Sequence, residues 1–243
     1  MNQDTISLNK YISSKGLCSR READKWIEEG RVAINGKTAV KGNRVSPGDK
    51  VAIDGQSLER KAKPVYIMFH KPPGITCTTD TRDKSNIIDF INFKQRIFPI
   101  GRLDKNSTGL ILLTNDGDIV NQVLRKENRH EKEYVVTVDR PISPSFLEKM
   151  SRPIPMLGTR TLPSKVARIK SKVFKIILTQ GLNRQIRRMC EYCGYKVIAL
   201  KRIRIMHLKL GNLKAGEWRY LNDKELNTLK KNIAKKPPRK IRE

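Results

Sequence analysis

Asp104 is the residue around which chemistry can be built. It sits in Gly101-Arg102-Leu103-Asp104-Lys105-Asn106-Ser107-Thr108-Gly109, between the apolar runs Ile97–Ile100 and Leu110–Leu113. Short apolar runs bounded by turn residues read as buried strands. A carboxylate on the loop between two such strands is held firmly yet stays open to a substrate. It can act there as a nucleophile or as a general base. The competing reading is a weak surface pair with Arg102. Arg184, Arg187 and Arg188 are spaced i, i+3, i+4 and share one helix face. They read either as a solvated basic face or as partners for an anion, and an arginine beside a carboxylate favours its charged form. Tyr134 offers a phenol, although its place in an alternating strand equally suits a core aromatic.

Other reactive side chains form no pattern. Cys190-x-x-Cys193 has no second cysteine or histidine pair to complete a zinc site, and His70, His130 and His207 are scattered. Both cysteines lie in an expected helix and read as buried structural thiols. Cys18 and Cys77 complete the set of four, which gives no reason to suppose an oxidising compartment. No metal and no cofactor is expected.

The elements that must position these groups follow from periodicity. Leu8, Tyr11 and Ile12 have helical spacing up to Gly16, and Ser19-Arg20-Arg21-Glu22 is a capping-box pattern for a second helix bearing Ala23, Trp26 and Ile27. Asn35-Gly36 and Ser46-Pro47-Gly48-Asp49 are turns between short alternating runs. The charged run 59–64 ends in Pro64 and reads as a linker. Beyond it, 65–69, 130–138, 166–169, 173–178, 195–200 and 202–206 read as strands. A short helix is expected over 86–91, and a longer one beginning near Asp118 as its cap. A third starts at Gly181 and Asn183, and a last one over 224–233 is capped by Asp223. The tail from Ala234 is basic and is expected to be disordered.

Lys and Arg number 51 against 24 Asp and Glu, a net charge of +27. Residues 63–223 alone hold 31 basic and 14 acidic residues, so the positive field centres on the part that carries Asp104. Such an excess favours a polyanion, nucleic acid before anionic membrane. No apolar run is long enough to span a bilayer. The start Met1-Asn2-Gln3-Asp4-Thr5 lacks the features of a signal peptide, so a cytoplasmic protein is expected.

Two stretches carry a resemblance. Gly101-Arg102-Leu103-Asp104, Ser107-Thr108-Gly109-Leu110 and Leu113-Thr114-Asn115-Asp116-Gly117-Asp118 resemble the active-site motif of pseudouridine synthases of the RsuA type, the RluF branch most closely. Leu8-Asn9-Lys10-Tyr11-Ile12, Ser19 to Asp24 and Gly30-Arg31-Val32 followed by Asn35-Gly36 resemble an S4 RNA-binding domain. The likeness covers nearly the whole chain apart from the tail. It implies a small S4 domain over 1–63, a catalytic domain over 64–223 and a C-terminal helix and basic tail over 224–243. The implied fold class is α/β (α+β), with a large mixed, mainly antiparallel sheet and a central RNA-binding cleft.

The resemblance also implies roles. Asp104 matches the catalytic carboxylate, as nucleophile at the sugar or as base on C2′. Tyr134 matches the tyrosine that packs against the base and is assigned to proton transfer. Arg187 matches the arginine that pairs with the catalytic Asp. Arg102, Leu103, Lys105, Arg184, Gln185, Ile186, Leu200, Arg202 and Arg204 are the expected substrate-binding set, with Arg184, Arg202 and Arg204 on RNA and Leu200 lining the site. Lys10, Arg20, Arg21 and Arg31 are the expected S4 contacts. His70 replaces an Asn that the family usually has, which bears on loop hydrogen bonding.

The implied activity is isomerisation of uridine to pseudouridine, with the target base flipped from its stack. The expected substrate is 23S rRNA, with a tRNA anticodon-loop uridine or a 16S rRNA site as further candidates. The expected state is a monomer with no membrane partner. The alternative from another class is a non-catalytic S4-containing ribosome-binding protein, which need not keep Asp104, Tyr134 and Arg187 together.

Overall fold

The computed structural model describes residues 5–58, 63–124 and 128–234. They form two compact units, one of residues up to Val65 with Phe93–Ile97 and Asn115–Gly117, the other of the remainder. Residues 59–62 of the expected linker and 235–243 of the expected tail lie outside the described residues.

The first unit contains β1 (Ile6–Ser7), α1 (Leu8–Ser14), α2 (Arg20–Glu28), β2 (Val32–Ile34), β3 (Lys37–Thr38), β4 (Arg44–Val45), β5 (Val51–Ile53) and β6 (Gln56–Ser57). The capping box forms as expected: Ser19 Oγ accepts from the Glu22 amide at 3.1 Å, and the Glu22 carboxylate accepts from the Ser19 amide at 3.4 Å. Leu8, Ile12, Ala23 and Ile27 close over Val32, Val45, Val51 and Ile53. Asn35 and Gly36 both take positive φ, +51° and +78°, which matches the tight hairpin between β2 and β3.

The other elements are β7 (Tyr66–Lys71), α3 (Ile87–Ile91), β8 (Phe98–Ile100), β9 (Thr108–Thr114), α4 (Gly117–Leu124), β10 (Lys132–Val138), α5 (Pro144–Ser151), β11 (Pro155–Met156), β12 (Thr159–Arg160), β13 (Lys165–Lys170), β14 (Val173–Leu178), α6 (Gln185–Tyr192), β15 (Val197–Ile205), β16 (Leu208–Lys209), β17 (Trp218–Tyr220) and α7 (Asp223–Ala234). A nine-stranded sheet runs β13-β14-β10-β15-β9-β7-β17, with β16 on β15 and β8 on β9. It is antiparallel except where β15 meets β9. β9 is apolar along its length because both its faces are covered. β10 alternates, burying Tyr134, Val136 and Val138. Leu229 of α7 is buried with Leu110, Leu112, Ile205 and Leu208.

Four local expectations change. Residues 195–206 are not two strands: β15 is continuous, and Lys201 stays in the ladder between Val135 and Thr108 with its side chain exposed. α6 begins at Gln185, not near Gly181, because Gln185 Oε1 takes the Leu182 amide at 3.0 Å and Arg184 turns to φ +50°. Asp118 lies within the first turn of α4 and does not cap it. Asn222 caps α7 instead of Asp223: its Oδ1 accepts from the Glu225 amide at 2.9 Å, and Glu225 returns the bond to the Asn222 amide at 3.0 Å. Among the described residues no helix is long and apolar enough to cross a membrane.

Candidate active site

The loop between β8 and β9 carries Asp104 to the mouth of a cleft of about 620 Å³. Its lining includes Arg102, Leu103, Asp104, Lys132, Tyr134 and Leu200, with Arg184, Gln185, Ile186 and Arg202. This lies within the common range of ligand clefts, about 300–1,000 Å³. The loop enters β9 beside β15, and β15 has β10 as its other neighbour. Asp104, Arg202 and Tyr134 therefore come from consecutive strands or their approach, and Tyr134 is the register partner of Arg202.

Several bonds fix the loop. The Ser107 amide donates to the Asp104 carbonyl at 3.0 Å, closing the turn. The Leu103 amide donates to Cys77 Sγ at 3.4 Å. Lys71, fully buried at the end of β7, donates from Nζ to the Pro72 carbonyl at 2.8 Å and the Lys105 carbonyl at 3.0 Å. The same Lys105 carbonyl accepts from the Gly74 amide at 2.9 Å. Burial pushes the Lys71 pKa down, with Cys77 and Asp104 working in the other direction. Lys71 thus clamps the backbone next to Asp104. Lys71→Met is expected to lower turnover by about tenfold to a hundredfold through misplacement of that loop. Its melting temperature should move little, since removing a buried charge of this kind offsets the lost bonds. Parallel kinetics and thermal unfolding check this; a large fall in melting temperature with normal turnover would contradict it.

Asp104 is half-buried, with the Arg187 Nε 3.4 Å and the Arg184 Nη1 3.9 Å from its Oδ2. Arg187 is nearly enclosed, its side chain 12% exposed, and it also donates to the Val197 carbonyl at 3.3 Å and to Ser107 Oγ at 3.4 Å. Its Nε faces Asp104 as an ion pair without an aligned hydrogen bond. Arg184 holds the left-handed conformation at the entry to α6, which is uncommon for a residue with a side chain.

The other expected residues divide. Leu103, Tyr134, Ile186 and Leu200 are buried walls of the cleft, and Arg102 is exposed at its edge. Gln185 is buried and uses its side chain on the Leu182 amide, so it shapes the loop. Lys105 is exposed and is not among the cleft's lining residues. Arg202 is 4% exposed, lines the cleft and donates from Nε to the Leu110 carbonyl at 2.7 Å, so it belongs to the cleft floor. Arg204 is engaged with Glu133 at 2.6 Å and Glu131 at 3.0 Å and lies outside the cleft lining, so it ties β10 to β15.

In the first unit, Arg20 and Arg21 are exposed in the opening turn of α2, and Lys10 is partly exposed on α1. Arg31 is paired with Asp54 at 2.6 Å and Glu29 at 3.4 Å, and its guanidinium lies 5.1 Å from the Trp26 ring centre. It braces this unit.

His70 is buried, its Nδ1 lying 2.7 Å from the Leu213 carbonyl, and burial lowers its pKa. Cys190 is buried, and its thiol is pushed up by that burial. Among the described residues no group of three or more His, Cys, Asp or Glu is arranged to hold a metal ion. Sequence reasoning passed over Lys71, Cys77 and Ser107.

A model of the RNA pseudouridylate synthase family matches residues 65–192, and an S4 domain model matches residues 7–58. The chain is 54% identical over 231 residues to the dual-specificity RNA pseudouridine synthase RluF of Escherichia coli (strain K12), covering 94% of this chain and 80% of that protein. It is 36% identical over 232 residues to the ribosomal large subunit pseudouridine synthase B of Bacillus subtilis (strain 168), covering 92% and 95%. A crystal structure of a pseudouridylate synthase superposes with a TM-score of 0.67 at 28% identity, covering 92% of this chain and 99% of the other. The chain therefore belongs to the RNA pseudouridylate synthase family, as an S4-containing RsuA-type isomerase that converts uridine to pseudouridine in RNA.

Proposed function

We propose that the target is a uridine of 23S rRNA, with a tRNA anticodon-loop uridine as a second substrate of the same cleft, and that the enzyme works in the cytoplasm. The names of the relatives above support this choice of RNA. Asp104 is the catalytic carboxylate, Arg187 its positioning partner and Tyr134 the residue against the base. The observation that carries the assignment is the nearly enclosed Arg187 facing Asp104 at 3.4 Å in a cleft also lined by Tyr134.

The chemistry follows from those placements. The flipped uridine enters the cleft, and Arg102, Lys105 and Arg184 hold the flanking phosphates. Asp104 attacks C1′ or takes the C2′ proton. On either route the C1′–N1 bond breaks with its electron pair on the base. The base turns, and C5 bonds to C1′ as either the Asp104–C1′ bond breaks or Asp104 returns its proton to C2′; the C5 proton then leaves with help from Tyr134 while N1 gains one. Nothing is oxidised and no second substrate is consumed.

The test is to incubate unmodified 23S rRNA, 16S rRNA and tRNA with the protein and map pseudouridine by carbodiimide labelling and primer extension. Modification of one 23S site and one tRNA site is expected. Modification of 16S rRNA alone would overturn the choice of substrate.

The S4 unit supplies affinity. Arg20 and Arg21 sit where the helix dipole disfavours cations, a misfit that a phosphate relieves. Replacing both by Ala is expected to raise KM on long RNA about tenfold with kcat unchanged, and to reduce the salt dependence of binding by about two units of slope. An unchanged KM would argue against this contact.

A further inference from the structure

We propose that Lys132 and Arg202 form a cationic floor that stabilises the uracil anion released when the C1′–N1 bond breaks. The inference rests on the reading of the Asp104 cleft as the place of bond cleavage.

Both side chains line the cleft, Lys132 from β10 two residues before Tyr134 and Arg202 from β15 opposite Tyr134. Neither is in an ion pair among the described residues. Arg202 uses Nε on the Leu110 carbonyl, while its buried Nη2 has no hydrogen-bond partner. Lys132 donates to one neutral acceptor, the His130 carbonyl at 3.3 Å. The carboxylates nearest in sequence are engaged elsewhere. Glu133 takes Arg204 at 2.6 Å and Lys175 at 3.4 Å, and Glu131 takes Arg204 at 3.0 Å and Lys165 at 3.6 Å. Asp104 faces Arg187 and Arg184. Two cations therefore share the floor with no anion assigned to them. A buried donor left unsatisfied and two like charges held together are each unfavourable. An anion bound during the reaction relieves both.

The reaction supplies such an anion. When C1′–N1 breaks, the electron pair remains on N1 and spreads to O2 and O4, giving the base one negative charge. The sugar carbon either becomes bonded to Asp104 or loses its C2′ proton to Asp104. C5 then donates its electron pair to C1′ as either the Asp104–C1′ bond breaks or Asp104 returns its proton to C2′, and the C5 proton departs as N1 regains one. Neutral bound uridine gains little from two cations, whereas the detached base gains much. The interaction therefore acts on kcat more than on KM. Lys132 also responds to pH. Burial first, and Arg202 second, lower its pKa to about 8. The charged and titratable groups around the cleft are Arg202 on β15, Tyr134 on β10 with Lys132, Arg102 and Asp104 on the loop, Arg184 just before α6, and Cys77. The useful form of Lys132 is the charged one, so its contribution is present below about pH 8 and is lost above it.

The test uses the full protein with RNA carrying either uridine or 5-fluorouridine at the target, since fluorine stabilises the departing anion by itself. Consumption of the parent nucleoside is followed in single turnover. Lys132→Met is expected to lower the rate on uridine about a hundredfold, with KM within about threefold, and on 5-fluorouridine by less than tenfold. Lys132→Gln serves in the same assay if the Met variant loses RNA affinity through misfolding. Equal losses on both RNAs, or a change confined to KM, would overturn the proposal. Asp104→Asn should be inactive on both RNAs. If it retained activity, the reading of the cleft would fail instead. In the wild type, kcat/KM should fall above about pH 8, and Lys132→Arg should move that limb to higher pH. A limb unmoved by the substitution belongs to another group and contradicts the assignment.

Discussion

Asp104→Asn is expected to lower turnover by at least about 10⁴-fold, the order seen when a nucleophile is removed from an otherwise intact site. RNA affinity should stay within about threefold. Asn has the same shape, so the Leu103 and Ser107 amides that fix the loop keep their partners. It can neither attack C1′ as a carboxylate does nor accept the C2′ proton. Arg184 and Arg187 lose their anion but remain in place, Arg187 through Val197 and Ser107. The stability loss should be only about 1 kcal/mol, because the pair is half-open at 3.4 Å and not an aligned buried bond. Single-turnover product formation, filter binding and thermal unfolding together check this. Wild-type turnover in the variant would remove Asp104 from the chemistry.

Gly109→Ala should be the most damaging small substitution near the site, with a loss on the order of 3–5 kcal/mol. Gly109 has φ +106°, which a side chain disfavours. A Cβ there would lie 2.2 Å from the Arg202 carbonyl oxygen and 2.6 Å from the Arg202 amide nitrogen. These are backbone atoms of the neighbouring strand and cannot rotate away. The contact occurs at the sheet's parallel pair, where Gly109 is the register partner of Arg202. The substitution therefore separates the loop of Asp104 from the strand that carries Arg202. Urea unfolding should show a markedly lower midpoint with an unchanged slope. A variant as stable as the wild type would show that β9 and β15 can move apart without consequence.

The features legible in the sequence were those written in neighbouring residues. The capping box at Ser19, the Asn35-Gly36 hairpin and the Asp104 loop between apolar runs need only a few positions to specify them, and each is present. The pairing of Asp104 with Arg187 joins residues far apart in the chain, so spacing alone did not reach it and the family resemblance did. Long-range partners also decide what the other expected cations touch within the protein. Arg202, Arg204 and Arg31 all read as cations available to RNA. Arg204 and Arg31 meet carboxylates brought by another strand or turn, and Arg202 is buried against the Leu110 carbonyl. Lys71 escaped notice because a buried lysine held by two carbonyls leaves no local pattern. At the helix ends, Asn222 with Glu225 and the bulky turn at Arg184 outcompeted nearby residues that were equally good candidates by type.

The most direct test of the central claim is release of tritium from RNA labelled at uridine C5. Formation of the C5–C1′ bond must expel that label, and simple binding or hydrolysis of the base does not. Unmodified 23S rRNA incubated with the wild-type protein and no added cofactor should release one equivalent per target site. Asp104→Asn should release none while still binding the RNA. No release by the wild type, with tight binding retained, would contradict the account of this cleft as the seat of uridine isomerisation.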